Sequence, residues 1–87
     1  MDALHGRQPD IEYPANWSYT VIGSDEPALR RAIASILTDR KHSIRPANTS
    51  RTGKYVSLRI DLVVMSERER LGYYEALRSH EAVRMTL

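Results

Sequence analysis

The residues that most often build metal or catalytic sites are few and scattered in this chain. Its three histidines, His5, His42 and His80, are too far apart in sequence for the i, i+2 or i, i+4 spacing that puts two ligands on one strand or helix face. Cysteine is absent, which excludes disulfides, thiolate nucleophiles and thiolate metal sites. We therefore expect no metal site and no cofactor.

The carboxylate and hydroxyl side chains are also poorly arranged for catalysis. Glu67 and Glu69 share what reads as the first turn of a helix, where carboxylates stabilise the helix dipole. General acid–base catalysis would need a buried cleft that separates their pKa values. Ser18, Ser57 and Ser66 have no histidine placed by spacing to act as a base. The sequence therefore predicts a protein without catalytic residues, and not an enzyme.

The turn Gly23-Ser24-Asp25 is the first candidate binding site. A predicted strand ends here and a helix begins, so backbone N–H groups are exposed. Asp25 would hold an ammonium group while the N–H groups take a carboxylate, which suits an amino-acid-like ligand. The alternative is structural, with Ser24 or Asp25 capping the helix and Gly23 providing the bend.

Basic residues around a predicted hairpin are the second candidate. The members of this basic rim are Arg40, Lys41, Arg45, Arg51 and Lys54. Brought together, they would attract an anion. The alternative is a solvated charged edge that prevents strand-to-strand aggregation.

Hydrophobic periodicity predicts six elements that would position these residues. Strands are expected at residues 17–22, 42–48, 54–64 and 83–87. The first helix is expected after Ser24, with an apolar stripe of Leu29, Ala32, Ile33, Ile36 and Leu37. A capping box at residues 66–69 begins the second helix. Its inner face is expected to carry Tyr73, Tyr74 and Leu77, with Leu71 at the rim, and the last strand to bury Val83, Met85 and Leu87.

The order β-α-β-β-α-β predicts an α+β protein. Two right-handed crossovers give a ferredoxin-like sandwich, with a four-stranded antiparallel sheet of order 4-1-3-2 and both helices on one face. Pro46 places the second strand at an edge, because proline cannot donate to a ladder. Residues 1–12 are expected to form a flexible N-terminal arm, and residues 13–87 a single domain.

The open face of the sheet is the third candidate. It is expected to show Thr20, Ile22, Tyr55, Ser57, Arg59, Asp61, Arg84 and Thr86. RNA-recognition motifs use this surface of the same fold, but they stack bases on aromatic residues of both central strands. Here Tyr55 faces Ile22, so we expect a protein partner rather than nucleic acid. The predicted partner or anion surface is Arg45, Arg51, Lys54, Tyr55 and Arg59.

Length and composition limit the kinds of partner and the cellular location that we expect for this chain. With 87 residues the chain makes one small domain, and its net charge of +2 is too mild to indicate a nucleic-acid partner by itself. The longest fully apolar run covers residues 62–65, far short of the ~20 residues that span a membrane. We expect a cytoplasmic protein.

Several short stretches, in order and spacing, carry a family resemblance. They are Tyr13-Pro14, Tyr19-Thr20-Val21-Ile22-Gly23, Gly53-Lys54-Tyr55-Val56-Ser57, Tyr74-Glu75-Ala76-Leu77 and Val83-Arg84-Met85-Thr86-Leu87. Over residues 13–87 the chain resembles the YbeD-like family of small uncharacterised bacterial proteins. The resemblance implies a ferredoxin-like fold similar to ACT regulatory domains, which bind amino acids or other small effectors at subunit interfaces. It also implies a link to lipoate metabolism, because the family is often encoded near lipoate-attachment enzymes. Arg70 departs from the family pattern, since its position is expected to be apolar.

These observations predict a non-enzymatic regulatory or protein-interaction module that associates with itself and holds any small-molecule effector near Gly23-Ser24-Asp25. One alternative is a nucleic-acid-binding domain that uses the basic rim and the open sheet face. Another is an adaptor that docks on an enzyme by adding an edge strand.

Overall fold

The computed structural model describes residues 11–49 and 53–87, which form one sheet and two helices. In chain order the elements are β1 (Ala15–Gly23), α1 (Glu26–Ile36), β2 (His42–Thr49), β3 (Val56–Val64), α2 (Glu67–Ser79) and β4 (Met85–Thr86). Residues 1–10 of the predicted arm, and Arg51 of the basic rim, lie outside the described residues.

The sheet is antiparallel, and its strand order is β2-β3-β1-β4. This confirms the predicted order 4-1-3-2 and the α+β class. β1 and β3 pair without a break, from Ala15 opposite Val64 to Gly23 opposite Val56. Pro46 lies in the edge strand β2, as predicted, next to a register shift that separates it from Thr49.

The core lies between the sheet and the helices. Its fully buried large side chains are Val21, Leu29, Ile33, Leu37, Leu58, Ile60, Val64 and Leu77. Alternate residues of β1 and β3 point to this layer, because successive strand side chains point to opposite faces. The stripe of α1 follows the predicted spacing, and the helix begins at Asp25, whose Oδ1 accepts a hydrogen bond from Ala28 N at 3.1 Å.

The inner face of α2 differs from the prediction. Leu77 is buried and Tyr73 packs against the core, but Tyr74 is exposed and Leu71 is 46% exposed. The prediction for Tyr74 was therefore wrong. Arg70 lies on the inner face together with Tyr73 and Leu77, at i, i+3 and i+7, and this turns Tyr74 toward the rim.

The last strand also differs, because its alternation shifts by one residue. β4 pairs Thr86 with Val21 of the core face and Met85 with Ile22 of the open face. Val83 is buried as expected, but it precedes the strand and its N–H donates to the His80 carbonyl. The burial of Met85 and Leu87 was therefore predicted wrongly, and so was the exposure of Thr86, which is 7% exposed.

Candidate functional site

Two arginines face each other on the open face of the sheet. Arg45 of β2 is paired directly with Arg59 of β3. Both contact one carboxylate: Arg45 Nε lies 3.3 Å from Asp61 Oδ2, and Arg59 Nε lies 3.1 Å from Asp61 Oδ1. Like charges directly opposite on neighbouring strands destabilise a sheet, and Asp61 offsets that repulsion. Two cations and one anion leave this cluster with one net positive charge.

Ser18 of β1 completes the arginine cluster. Its hydroxyl donates to Asp61 Oδ1 at 2.5 Å and accepts from Arg59 Nη2 at 3.0 Å. The Ser18 hydrogen bond, and after it the Arg59 hydrogen bond and charge, hold the pKa of Asp61 below its ordinary value. Asp61 is therefore ionised at neutral pH and already engaged by three side chains.

A groove of about 1070 Å³ adjoins the arginine cluster. Its open-face lining comes from Asn16, Ser18, Ser43, Arg59, Asp61 and Val63, and residues 39–41 form a wall. Arg40 of this wall is held by Glu69 and lies 3.5 Å from the Tyr73 hydroxyl, so it ties the loop to α2. The Arg40 guanidinium is thus engaged by side chains of α2.

Arg84 and Lys54, which lie over the Tyr55 ring, form a second cationic point on the open face. The Arg84 guanidinium carbon lies 5.2 Å from the centre of this ring, and Lys54 Nζ lies 5.6 Å away. Tyr55 precedes Arg59 by four residues, about 13 Å along an extended strand. Met85 and Ile22 lie beside this stretch, and Met85 is 53% exposed. The open face thus carries two cationic points with apolar side chains near them.

The turn Gly23-Ser24-Asp25 lies at the end of β1 remote from the groove. The Asp25 carboxylate caps α1, and Gly23 is buried while Ser24 is exposed. These contacts match the structural alternative for the turn, and its effector role stays a prediction.

Arg70 is the centre of a cluster that the sequence reasoning missed. Its guanidinium carbon lies 4.7 Å from the centre of the Trp17 ring, and its Nε donates to the Tyr13 hydroxyl at 2.9 Å. The Tyr19 hydroxyl donates to the Arg70 carbonyl at 2.6 Å. The available signal was the unexpected arginine at an inner position of α2. Its aromatic partners come from β1 and from the segment before it.

The buried Tyr19 should make stability depend on pH in the alkaline range. Burial raises the pKa of Tyr19 to about 12, whereas the unfolded chain ionises near its ordinary value of 10.0. Between these two values the unfolded state loses a proton that the folded state keeps. The free energy of unfolding should therefore fall as pH rises, by up to about 2–3 kcal/mol from this group.

Urea unfolding at several pH values between 9 and 12 tests this prediction. The free energies of unfolding of Tyr19→Phe and Tyr74→Phe are compared, and Tyr19 is expected to account for about 2–3 kcal/mol of the change with pH. Tyr19→Phe should remove much of the alkaline loss, and Tyr74→Phe, at an exposed position, should keep it. An identical pH dependence in both variants would show that Tyr19 does not control it.

In residues 11–49 and 53–87, no group of three or more histidine or acidic residues is placed to hold a metal ion. Neither described helix has the length and apolarity needed to cross a membrane.

Comparison with known proteins places the chain among uncharacterised relatives. A family model described as "Protein of unknown function (DUF493)" matches residues 8–87. The chain is 30% identical to the uncharacterized protein Cj0253 of Campylobacter jejuni, over 84% of each chain. It is 35% identical to a UPF0250 protein of Hahella chejuensis, over 91% of each. The solution structure of HP0495 from Helicobacter pylori superposes with a TM-score of 0.82 at 25% identity, over 100% of this chain and 96% of that one.

Proposed function

Because the chain belongs to the DUF493 family of proteins of unknown function, we propose its role from its surface: a non-enzymatic interaction module that binds an acidic partner protein through the open sheet face. This is the UPF0250/YbeD family, so the resemblance found in the sequence is confirmed at the family level. The observation that carries the proposal is the direct pairing of Arg45 with Arg59.

The exposure of the arginine cluster favours an anionic partner. The side chains of Arg45 and Arg59 are 62% and 46% exposed, whereas that of Asp61 is 29% exposed. The two cations therefore stand farther into solvent than the carboxylate that offsets them. Arginine suits carboxylates because its planar fork donates two parallel hydrogen bonds. A partner carboxylate would relieve the repulsion that the cross-strand pair retains.

The second cationic point makes a protein surface a better fit than a single small anion. Tyr55, which Arg84 contacts, precedes Arg59 by four residues, about 13 Å of extended chain, and Met85 exposes apolar surface nearby. A ligand that uses both points must span that distance and offer apolar contacts. Nucleic acid fits less well, because Tyr55 is the only described residue of the open face that offers an aromatic ring for stacking.

The chemistry of the cluster supports a non-enzymatic role. Asp61 is the carboxylate of the arginine cluster, and its pKa is lowered by Ser18 and Arg59. A general base works best with a pKa near the working pH, so a depressed carboxylate pKa is unfavourable for proton transfer. The regulatory role, the self-association and the link to lipoate metabolism that the resemblance implies are part of this proposal as predictions.

Affinity capture with charge-reversal variants tests the proposal. Immobilised protein is exposed to lysate of the source organism, and the captured proteins are identified and then purified for titration. Arg59→Glu should weaken binding by tenfold or more, since charged interface pairs contribute about 2 kcal/mol or more. Arg59→Gln should weaken it less. The control is Arg78→Glu, which reverses an exposed charge on α2 away from the sheet face.

Folding of each variant is checked by circular dichroism before capture. Binding of one acidic protein that falls with salt and with Arg59→Glu, but not with Arg78→Glu, supports the proposal. Equal binding by wild type and Arg59→Glu contradicts it. Preferential capture of RNA, lost after nuclease treatment, would favour the nucleic-acid alternative.

A further inference from the structure

The described residues cover the outer edge of β1 over only part of its length. β1 has nine residues, and β3 pairs with all of them. On the other side, β4 pairs only with Val21 and Ile22, and Leu87 extends the contact to Thr20 through two backbone hydrogen bonds of 3.2 and 2.8 Å. The first half of β1 therefore has no strand beside it among residues 11–49 and 53–87.

The backbone direction identifies which groups lie on this edge. Thr20 bonds to Leu87, and the Ile22 carbonyl accepts from Arg84 N at 2.8 Å, so the even-numbered residues of β1 face outward. Alternate residues of a strand present their N–H and C=O groups to opposite edges. Asn16 and Ser18 therefore present theirs outward, and no described residue forms a backbone hydrogen bond with them there.

Arg70 adds a charged group at the same place. It stacks on Trp17, the residue between Asn16 and Ser18, and it belongs to α2, which contacts both β1 and β4. Its Nε is engaged by the Tyr13 hydroxyl, whereas its two Nη nitrogens have no hydrogen-bond partner among the described residues. Two parallel donors on one guanidinium match the two oxygens of a carboxylate.

We propose that an extended acidic segment of a partner protein adds to the sheet along the outer edge of β1. Its backbone would exchange hydrogen bonds with Asn16 and Ser18, and one of its carboxylates would bind the Nη groups of Arg70. The occupant is acidic because Arg70 complements it in charge, and extended because only an extended strand matches the spacing of outward backbone groups. This inference goes beyond the proposed function, since it uses the backbone edge of β1 and Arg70 rather than the side chains of Arg45 and Arg59.

A backbone-selective substitution tests the edge. Proline at an outward-facing position of an edge strand removes one N–H and leaves the inner ladder intact. Asn16→Pro is therefore compared with Asn16→Ala, which keeps the N–H. The probe is a displayed library of random 12-residue peptides selected on the wild-type protein, with dissociation constants measured by fluorescence anisotropy. Selected peptides should be rich in aspartate or glutamate.

We expect Asn16→Pro to raise the dissociation constants of the selected peptides about tenfold, which corresponds to ~1.4 kcal/mol for a hydrogen bond lost at the interface. Asn16→Ala should change them less than threefold. Arg70→Gln should weaken peptide binding by a similar factor and make the peptide affinity less dependent on salt concentration. Methylation of peptide backbone nitrogens should weaken binding at alternate positions only, which tests the edge even if Asn16→Pro does not fold. Arg78→Glu, at an exposed position of α2 away from the sheet face, should leave these peptides unaffected. The proposed function is tested by Arg59→Glu on its own captured partner, so the two proposals fail separately.

Several outcomes would overturn the proposal. These are a selection that yields no binding peptide, peptides that bind Asn16→Pro as tightly as Asn16→Ala, and binding indifferent to backbone methylation. A wild-type dimer in sedimentation that Asn16→Pro converts to monomer would make a second copy of this chain the occupant, and would overturn the proposal of a partner segment.

Discussion

Replacing Leu77 by alanine is expected to lower the free energy of unfolding by about 3 kcal/mol, within the range of ~2–5 kcal/mol for buried leucine. Leu77 is fully buried, and it is the only residue of α2 that is. The change removes the main apolar anchor of the helix and leaves a cavity between α2 and the sheet. Urea denaturation monitored by circular dichroism measures the loss.

The matched control for Leu77 is Leu71→Ala on the same helix. Leu71 is 46% exposed, and its substitution should change stability by no more than about 0.5 kcal/mol. Equal losses at the two positions would mean that α2 packs through a different face. Such a result would also undermine the position assigned to Arg70, because Arg70 and Leu77 share the inner face.

Replacing Gly23 by alanine is expected to cost about 2–3 kcal/mol, typical of an added methyl group in a closely packed interior. A Cβ at this position would lie 2.6 Å from the Ala82 carbonyl oxygen and 2.9 Å from Leu29 Cδ2. The nearer of these two atoms is a backbone oxygen, which cannot move aside as the end of a flexible side chain can. Thermal and urea unfolding of Gly23→Ala measure the cost.

Gly72 provides a control of opposite sign. It lies within α2, and a Cβ there would meet nothing within 4 Å. Gly72→Ala should therefore stabilise the protein by up to about 1 kcal/mol through helix propensity. If Gly23→Ala were as harmless as Gly72→Ala, the turn would have room that the structure does not show, and the effector prediction for Gly23-Ser24-Asp25 would gain weight.

The contrast between these glycines shows which contacts local sequence patterns could not predict. The sequence places Gly72 inside a predicted helix and Gly23 just before one, and the structural alternative for the turn gave Gly23 a bend. Its close approach to Ala82 involves residues almost sixty positions apart, so no local pattern carries it. Position 70 is similar: an arginine on an inner helix face contradicts the hydrophobic pattern until Trp17 and Tyr13 are placed beside it.

The open face was predicted in part. Alternation in β1 and β3 correctly assigned Thr20, Arg59 and Asp61 to the side without helices, because a period of two follows from strand geometry alone. The pairing of Arg45 with Arg59, and the contact of Ser18 with Asp61, depend on the register between strands distant in sequence. Composition and spacing therefore indicated a basic rim, but not that Arg45 of this rim shares the Asp61 carboxylate with Arg59.

The amino-acid sequence by itself determined the element order, the sheet topology, the core faces of α1, β1 and β3, and the family. These follow from periodicity, capping and motif order, all of which are local along the chain. Only the tertiary structure decided the inner face of α2, the alternation of β4, the arginine cluster and the part of the outer β1 edge that no described residue covers. Each depends on contacts between distant segments: packing sets the rotation of a helix, and the length of β4 sets how much of β1 is covered.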